Sequence, residues 1–172
     1  MAILFKKETN QFYLHTKNSS YIIELLDGRI PMHAYWGETL RDMVPLTLWE
    51  STKGQGFLAK DTGINNYHLG SSGTLPAELP LFGSGDMREP AFHALYEDGS
   101  RVTRLEYAHH KIFVGKPALK GLPASYCEDR EAETLELYLK DSLTGLVICL
   151  SYSVFEGKNV ITRSLRAENK GN

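Results

Sequence analysis

The residues of this chain whose types could carry chemistry are six histidines, two cysteines and a scatter of carboxylates. The histidines are His15, His33, His68, His93, His109 and His110. Side chains at successive strand positions point to opposite faces, so the adjacent pair His109 and His110 is wrongly placed for joint ligation of one metal. Strand histidines, at the surface or half-buried, are the expectation, with no metal site. Cys127 and Cys149 make neither a disulfide framework nor a CxxC pair. No neighbouring base or helix start marks Cys127 as a nucleophile, and Cys149 sits among apolar neighbours as a small core residue. Two carboxylates working together are a common hydrolytic device. Asp86 and Glu89 flank Arg88, and Asp42 adjoins Arg41, but both groups read as ion pairs that fix turns. There is no glycine-rich phosphate loop, no GxSxG elbow and no HExxH. Gly54-Gln-Gly56 lacks the strand-to-helix context of a nucleotide site. No catalytic residue, metal ligand or cofactor site is therefore assigned.

The elements that must position these residues are strands. In Glu133-Thr-Leu-Glu-Leu-Tyr-Leu-Lys, Leu135, Leu137 and Leu139 share one face, and Thr134, Glu136, Tyr138 and Lys140 the other. This period-2 alternation outweighs the helical face that Glu131, Glu133 and Glu136 suggest. A turn at Asp141-Ser-Leu-Thr-Gly145 leads into the apolar run from Leu146 to Phe155, and a further strand runs from Asn159 to Ala167. Near the start, Asp27-Gly28 joins the runs 21–26 and 29–36. Asp-Gly is a strong hairpin signal, because both central residues of a type I′ turn need positive φ. Pro31 argues for an edge position or a bulge. Asp98-Gly99 predicts a second hairpin, between strands at 92–96 and 101–107. The fold class is all-β, built from antiparallel hairpins.

Order weakens between Met43 and Gly85, which hold seven glycines and three prolines. So long a connection is unusual unless it is functional or disordered, and Trp49, Phe57, Tyr67 and Phe82 argue against disorder. An ordered, protruding excursion over 43–85 is expected, packed on another domain or subunit. Glu168-Asn-Lys-Gly-Asn172 is turn chemistry after a strand, so the sheet is expected to continue past residue 172. With 19 basic and 21 acidic residues the formal net charge is −2, which advertises no nucleic-acid partner. The longest apolar runs, such as Leu146–Leu150, are far short of the roughly 20 residues of a membrane span. No secretory signal is read at Met1, so a cytoplasmic protein without a membrane partner is expected.

Four stretches resemble the amino-terminal domain of family-36 glycoside hydrolases, the bacterial α-galactosidases. They are YIIELLDGRIPMHAYWG (21–37), GSGDMREPAF (83–92), GKPALKGLPASY (115–126) running on to Glu131-Ala-Glu-Thr-Leu-Glu, and NVITRSLRAENKG (159–171). Their order and spacing cover most of the chain outside the long excursion. The resemblance implies a β-supersandwich of the galactose-mutarotase kind, followed by a (β/α)₈ barrel that carries the two catalytic aspartates. A barrel needs about 250 residues, so this chain is expected to hold only the first part of the sandwich and to be inactive alone.

What the resemblance further implies is an accessory or assembly role in a retaining α-galactosidase acting on terminal α-galactosides of the raffinose or melibiose type. Its partners would be the catalytic barrel of the parent chain and further copies in a homo-oligomer, with the galactoside reached through the barrel. Many relatives carry an Asp in the long loop that reaches the galactose site. Here the corresponding stretch is Lys53-Gly-Gln-Gly-Phe57, without an acid, so no substrate-binding Asp is assigned and an N-acetylgalactosaminide specificity stays open. Trp49, Phe57 and Tyr67 are the candidates for substrate or interface contacts. The alternatives are a stand-alone carbohydrate-binding β-sandwich, with Trp36, Trp49 or Tyr67 stacking on sugar rings, and a purely structural oligomerisation domain.

Overall fold

A computed structural model describes residues 2–41, 76–82, 88–128 and 130–171. Every strand in them is antiparallel, and the strands form two four-stranded sheets. The first sheet holds β1 (Ile3–Lys6), β2 (Gln11–His15), β3 (Ser19–Leu26) and β4 (Ile30–Glu38) in that order. The second holds β5 (Glu106–Val114), β6 (Glu133–Lys140), β7 (Leu146–Phe155) and β8 (Val160–Asn169), again in chain order. A short 3-10 turn, Glu156–Lys158, links β7 to β8.

Alternation decides which side chains meet. Phe12 and Leu14 on β2, with Ile23 and Leu25 on β3, face Leu135, Leu137 and Leu139 on β6 and Ile148, Leu150 and Val154 on β7 in one buried cluster. Burying a leucine or isoleucine completely is worth about 1.5–3 kcal/mol, so this layer fixes register. A slip of one residue would carry every one of these side chains to the wrong face.

The Asp27-Gly28 hairpin forms as expected. Asp27 and Gly28 have φ of 51° and 69°, and the Arg29 N–H donates to the Leu26 carbonyl at 2.9 Å. Pro31 sits on β4 at the end of the sheet order, and a register shift lies a few residues on, where Ile22 pairs Tyr35 and Ile23 pairs His33. The expected Asp98-Gly99 hairpin differs. Its turn is present, with Gly99 at φ 79° and Tyr96 N–H bonded to the Ser100 carbonyl at 3.0 Å. The flanking segments do not form a ladder, and the strand begins at Glu106 and pairs with β6 instead.

The expected excursion over 43–85 lies mostly outside the described residues, but its end joins the sandwich. Ala77 bridges Met32, the Glu78 N–H donates to the Pro31 carbonyl at 3.0 Å, and Leu79 enters the core. A segment with one strand-like bridge and two buried residues shows too little alternation to stand out in the sequence.

Candidate functional site

Between β4 and β8 the inner faces of the two sheets carry polar groups in place of apolar ones. At inward positions stand Tyr21 on β3, Tyr152 on β7 and Arg163 on β8, and Tyr152 pairs directly with Arg163 across the ladder. Glu78, delivered by the 76–79 segment, fills the gap between them with its side chain 1% exposed. Its carboxylate accepts from the Tyr21 hydroxyl at 2.9 and 2.8 Å, one contact to each oxygen. It also accepts from the Tyr152 hydroxyl at 2.7 Å and pairs with the Arg163 guanidinium at 2.6 Å. An ionised carboxylate this deep is tolerated only when paired and hydrogen-bonded, and all three donors are supplied.

A ring of π-systems surrounds the junction. His33 and Trp36 lie 4.8 and 5.4 Å from the Tyr21 ring, centroid to centroid, and the Arg163 guanidinium lies 5.1 Å from the Tyr152 ring. His33 Nδ1 is 4.0 Å from the carboxylate, too long for a hydrogen bond, and it has no hydrogen-bond partner among the described residues. Burial, and then the Glu78 charge, push both tyrosine hydroxyls well above the ordinary phenol range. They therefore remain donors. With its oxygens committed to three donors, Glu78 is a structural anchor between the sheets and a poor general base. Trp36, 54% exposed, and the half-exposed Arg163 side chain carry the cluster to solvent.

Other carboxylates are occupied as well. Glu106 binds the Arg29 and Arg104 side chains. Asp141 accepts from the backbone of Arg104, Leu143 and Thr144. Glu24, behind the first sheet, accepts from Gln11 at 2.7 Å, and burial pushes its carboxyl up to about 7.

The histidine pair behaves as alternation requires. His109 stacks on Tyr138 at 4.3 Å, whereas His110 packs against Phe5 and Phe12 and bonds the Tyr107 hydroxyl on the inner side. Glu89 binds His93 at 3.1 Å. Cys149 is buried, but it faces the outer side of the second sheet, opposite Tyr138. Burial there, followed by the nearby Glu136 charge, pushes its thiol up. Trp49, Phe57 and Tyr67, with Asp42, His68, Asp86 and the 53–57 stretch, lie outside the described residues. Among the described residues no group of three or more His, Cys, Asp or Glu is placed to hold a metal ion, and no helix is long and apolar enough to cross a membrane.

Sequence reasoning missed Glu78, Tyr152 and Arg163 as a unit. A signal existed: Tyr152 and Arg163 occupy inward positions of strands whose other inward residues are apolar. Their carboxylate partner, from a segment without periodicity, left none.

Comparison with known proteins bears on what this framework belongs to. Residues 29–172 match the model of the family described as the glycosyl hydrolase family 36 N-terminal domain. The α-galactosidase AgaA of Geobacillus stearothermophilus is 40% identical over 172 residues, which cover 99% of this chain and 23% of that protein. The bifunctional α-galactosidase/sucrose kinase AgaSK of Mediterraneibacter gnavus is 32% identical over 99% of this chain and 18% of its own length. Among solved structures, the family-36 α-galactosidase AgaB of Geobacillus stearothermophilus superposes with a TM-score of 0.89 at 41% identity, over 99% of this chain and 23% of that one. A variant of AgaA in complex with raffinose superposes with a TM-score of 0.85 at 41% identity, over 94% of this chain and 22% of its own. The chain thus spans about a quarter or less of the relatives it matches.

Proposed function

We propose that this chain, which belongs to the glycosyl hydrolase family 36 N-terminal domains, is the accessory domain of a larger retaining α-galactosidase. The observation that carries the reading is the match along 99% of this chain to about 23% of an α-galactosidase. The missing length is ample for a (β/α)₈ barrel of about 250 residues. The domain begins the β-sandwich, and the barrel carries the carboxylate pair that forms and then hydrolyses a glycosyl-aspartate. The work of this chain is positional: it holds the 43–85 segment, with Trp49, Phe57 and Tyr67, against the barrel or a neighbouring subunit of a homo-oligomer. The substrate is a terminal α-galactoside such as raffinose, and the enzyme is cytoplasmic.

The chemistry of the chain supports this division. Glu78, Glu106 and Asp141 serve donors that hold the sandwich together, which leaves them unavailable for acid–base work on a sugar. Release of nitrophenol from an aryl α-galactoside by the purified chain tests the reading, and no turnover is expected. Turnover that survives repurification and is lost on one Asp or Glu substitution would overturn it.

A further inference from the structure

On the outer face of the second sheet, β6, β7 and β8 present rows of side chains set by register. One row is Glu136, Ser151 and Ser164; the next is Thr134, Ser153 and Thr162. Four of these six positions, on β7 and β8, carry only small hydroxyl side chains. Ser151, Ser153 and Ser164 are too short to cover the sheet, and here the floor is hollow. The connection over residues 116–125 passes above it, and floor and roof enclose a pocket of about 450 Å³. This is within the roughly 300–1,000 Å³ of small-molecule sites.

The polar groups of the floor divide in two. Thr134 is spent on the Gly115 carbonyl and on Ser153. The hydroxyls of Ser151, Thr162 and Ser164 have no hydrogen-bond partner among the described residues. Beside them Glu136 accepts from the Tyr138 hydroxyl at 2.6 Å through Oε2, with Arg166 4.0 Å from Oε1. Leu119, Leu122 and Pro123 give the roof an aliphatic lining.

We propose that this pocket is a non-catalytic binding site for a neutral oligosaccharide. A hydroxyl donates and accepts alike, so three open hydroxyls beside a carboxylate match the mixed donors and acceptors of a sugar edge, and the aliphatic roof takes its C–H face. Charges of both signs line the pocket, Glu136 with Lys116, Lys120, Arg163 and Arg166; Arg163 is paired with Glu78 and Arg166 with Glu168, and the two lysines add donors for sugar oxygens. The choice of galactosyl oligosaccharide as ligand rests on the proposed function; the pocket itself does not.

Titration of the isotope-labelled 172-residue chain with raffinose, followed by amide NMR, tests the site. Shifts are expected at Ser151, Ser164 and residues 119–123. Ser164→Ala should weaken binding about three- to tenfold by removing one hydrogen bond, and Ser151→Leu, which fills the floor, should abolish it with the spectrum otherwise retained. Absence of shifts, shifts confined to the Trp36 region, or unchanged affinity in Ser164→Ala would each overturn the site. Pocket resonances already displaced in the longer polypeptide without sugar, and unmoved by raffinose, would show a protein segment as the occupant and overturn it too. A longer polypeptide that hydrolyses raffinose while this chain does not bind it would sink the pocket and leave the proposed function standing.

Discussion

Replacing Glu78 by alanine should be among the most damaging single changes at the junction of the two sheets. The loss is worked from the partners it leaves behind. Tyr152 is fully buried, and a buried hydroxyl without its acceptor costs about 1–3 kcal/mol. The Tyr21 hydroxyl is partly buried and contributes the lower end of that range. The Arg163 side chain is 48% exposed, so water takes up its charge and the lost ion pair adds little. The sum is about 2–4 kcal/mol, against the roughly 5–15 kcal/mol that keeps an ordinary domain folded. Glu78→Gln retains a carbonyl acceptor for the phenols and should cost only about 1 kcal/mol. Urea unfolding followed by circular dichroism measures both variants, and Tyr152→Phe completes a double-mutant cycle. A coupling of about 1 kcal/mol or more is expected between Glu78 and Tyr152, since they share one hydrogen bond. Alanine and glutamine variants of equal stability would refute the reasoning, as would an alanine variant within about 0.5 kcal/mol of the parent, the ordinary range of surface substitutions.

Two further outcomes follow from the same framework. Glu24 has its carboxyl raised to about 7 in the fold from an ordinary 4.5, so the folded state holds a proton that the unfolded chain gives up. The stability this contributes is fully present below about pH 4.5 and is lost as pH rises through 7, by at most about 3 kcal/mol. Glu24→Gln should flatten that part of a stability-against-pH curve, and an unchanged slope would assign the titration elsewhere. Trp49→Ala with Phe57→Ala in the longer polypeptide should weaken assembly and substrate binding with the fold retained, each aromatic anchor contributing about 2 kcal/mol. Light scattering and activity decide it, and an unchanged oligomer with a lowered melting temperature would place both rings in a local core.

Much of the sandwich was legible because its inner layer repeats every second residue. Leu135, Leu137 and Leu139 announced β6, and the Asp27-Gly28 pair announced a turn that only positive φ permits. Asp98-Gly99 misled, since a turn residue pair reports local backbone and not whether its flanks find ladder partners. In its place β5 pairs β6, a contact set by chain topology. The junction was hidden for a different reason. Tyr152 and Arg163 obeyed strand alternation, but their meaning depends on Glu78, 74 residues earlier than Tyr152 in a stretch without periodicity. The hollow under residues 116–125 was equally invisible, because Ser151 and Ser164 read as ordinary solvent-facing positions until a roof crosses them. Family resemblance reached further than physics alone: the matched stretches pointed to a glycoside hydrolase where no catalytic residue could be named.

The most direct test of the accessory role is hydrolysis of an aryl α-galactoside by the longer polypeptide, with the first-formed sugar observed by proton NMR. Galactose released initially as the α-anomer is the predicted result, since a retaining enzyme with carboxyls about 5 Å apart preserves configuration. Absence of hydrolysis, or galactose appearing first as the β-anomer, would contradict it.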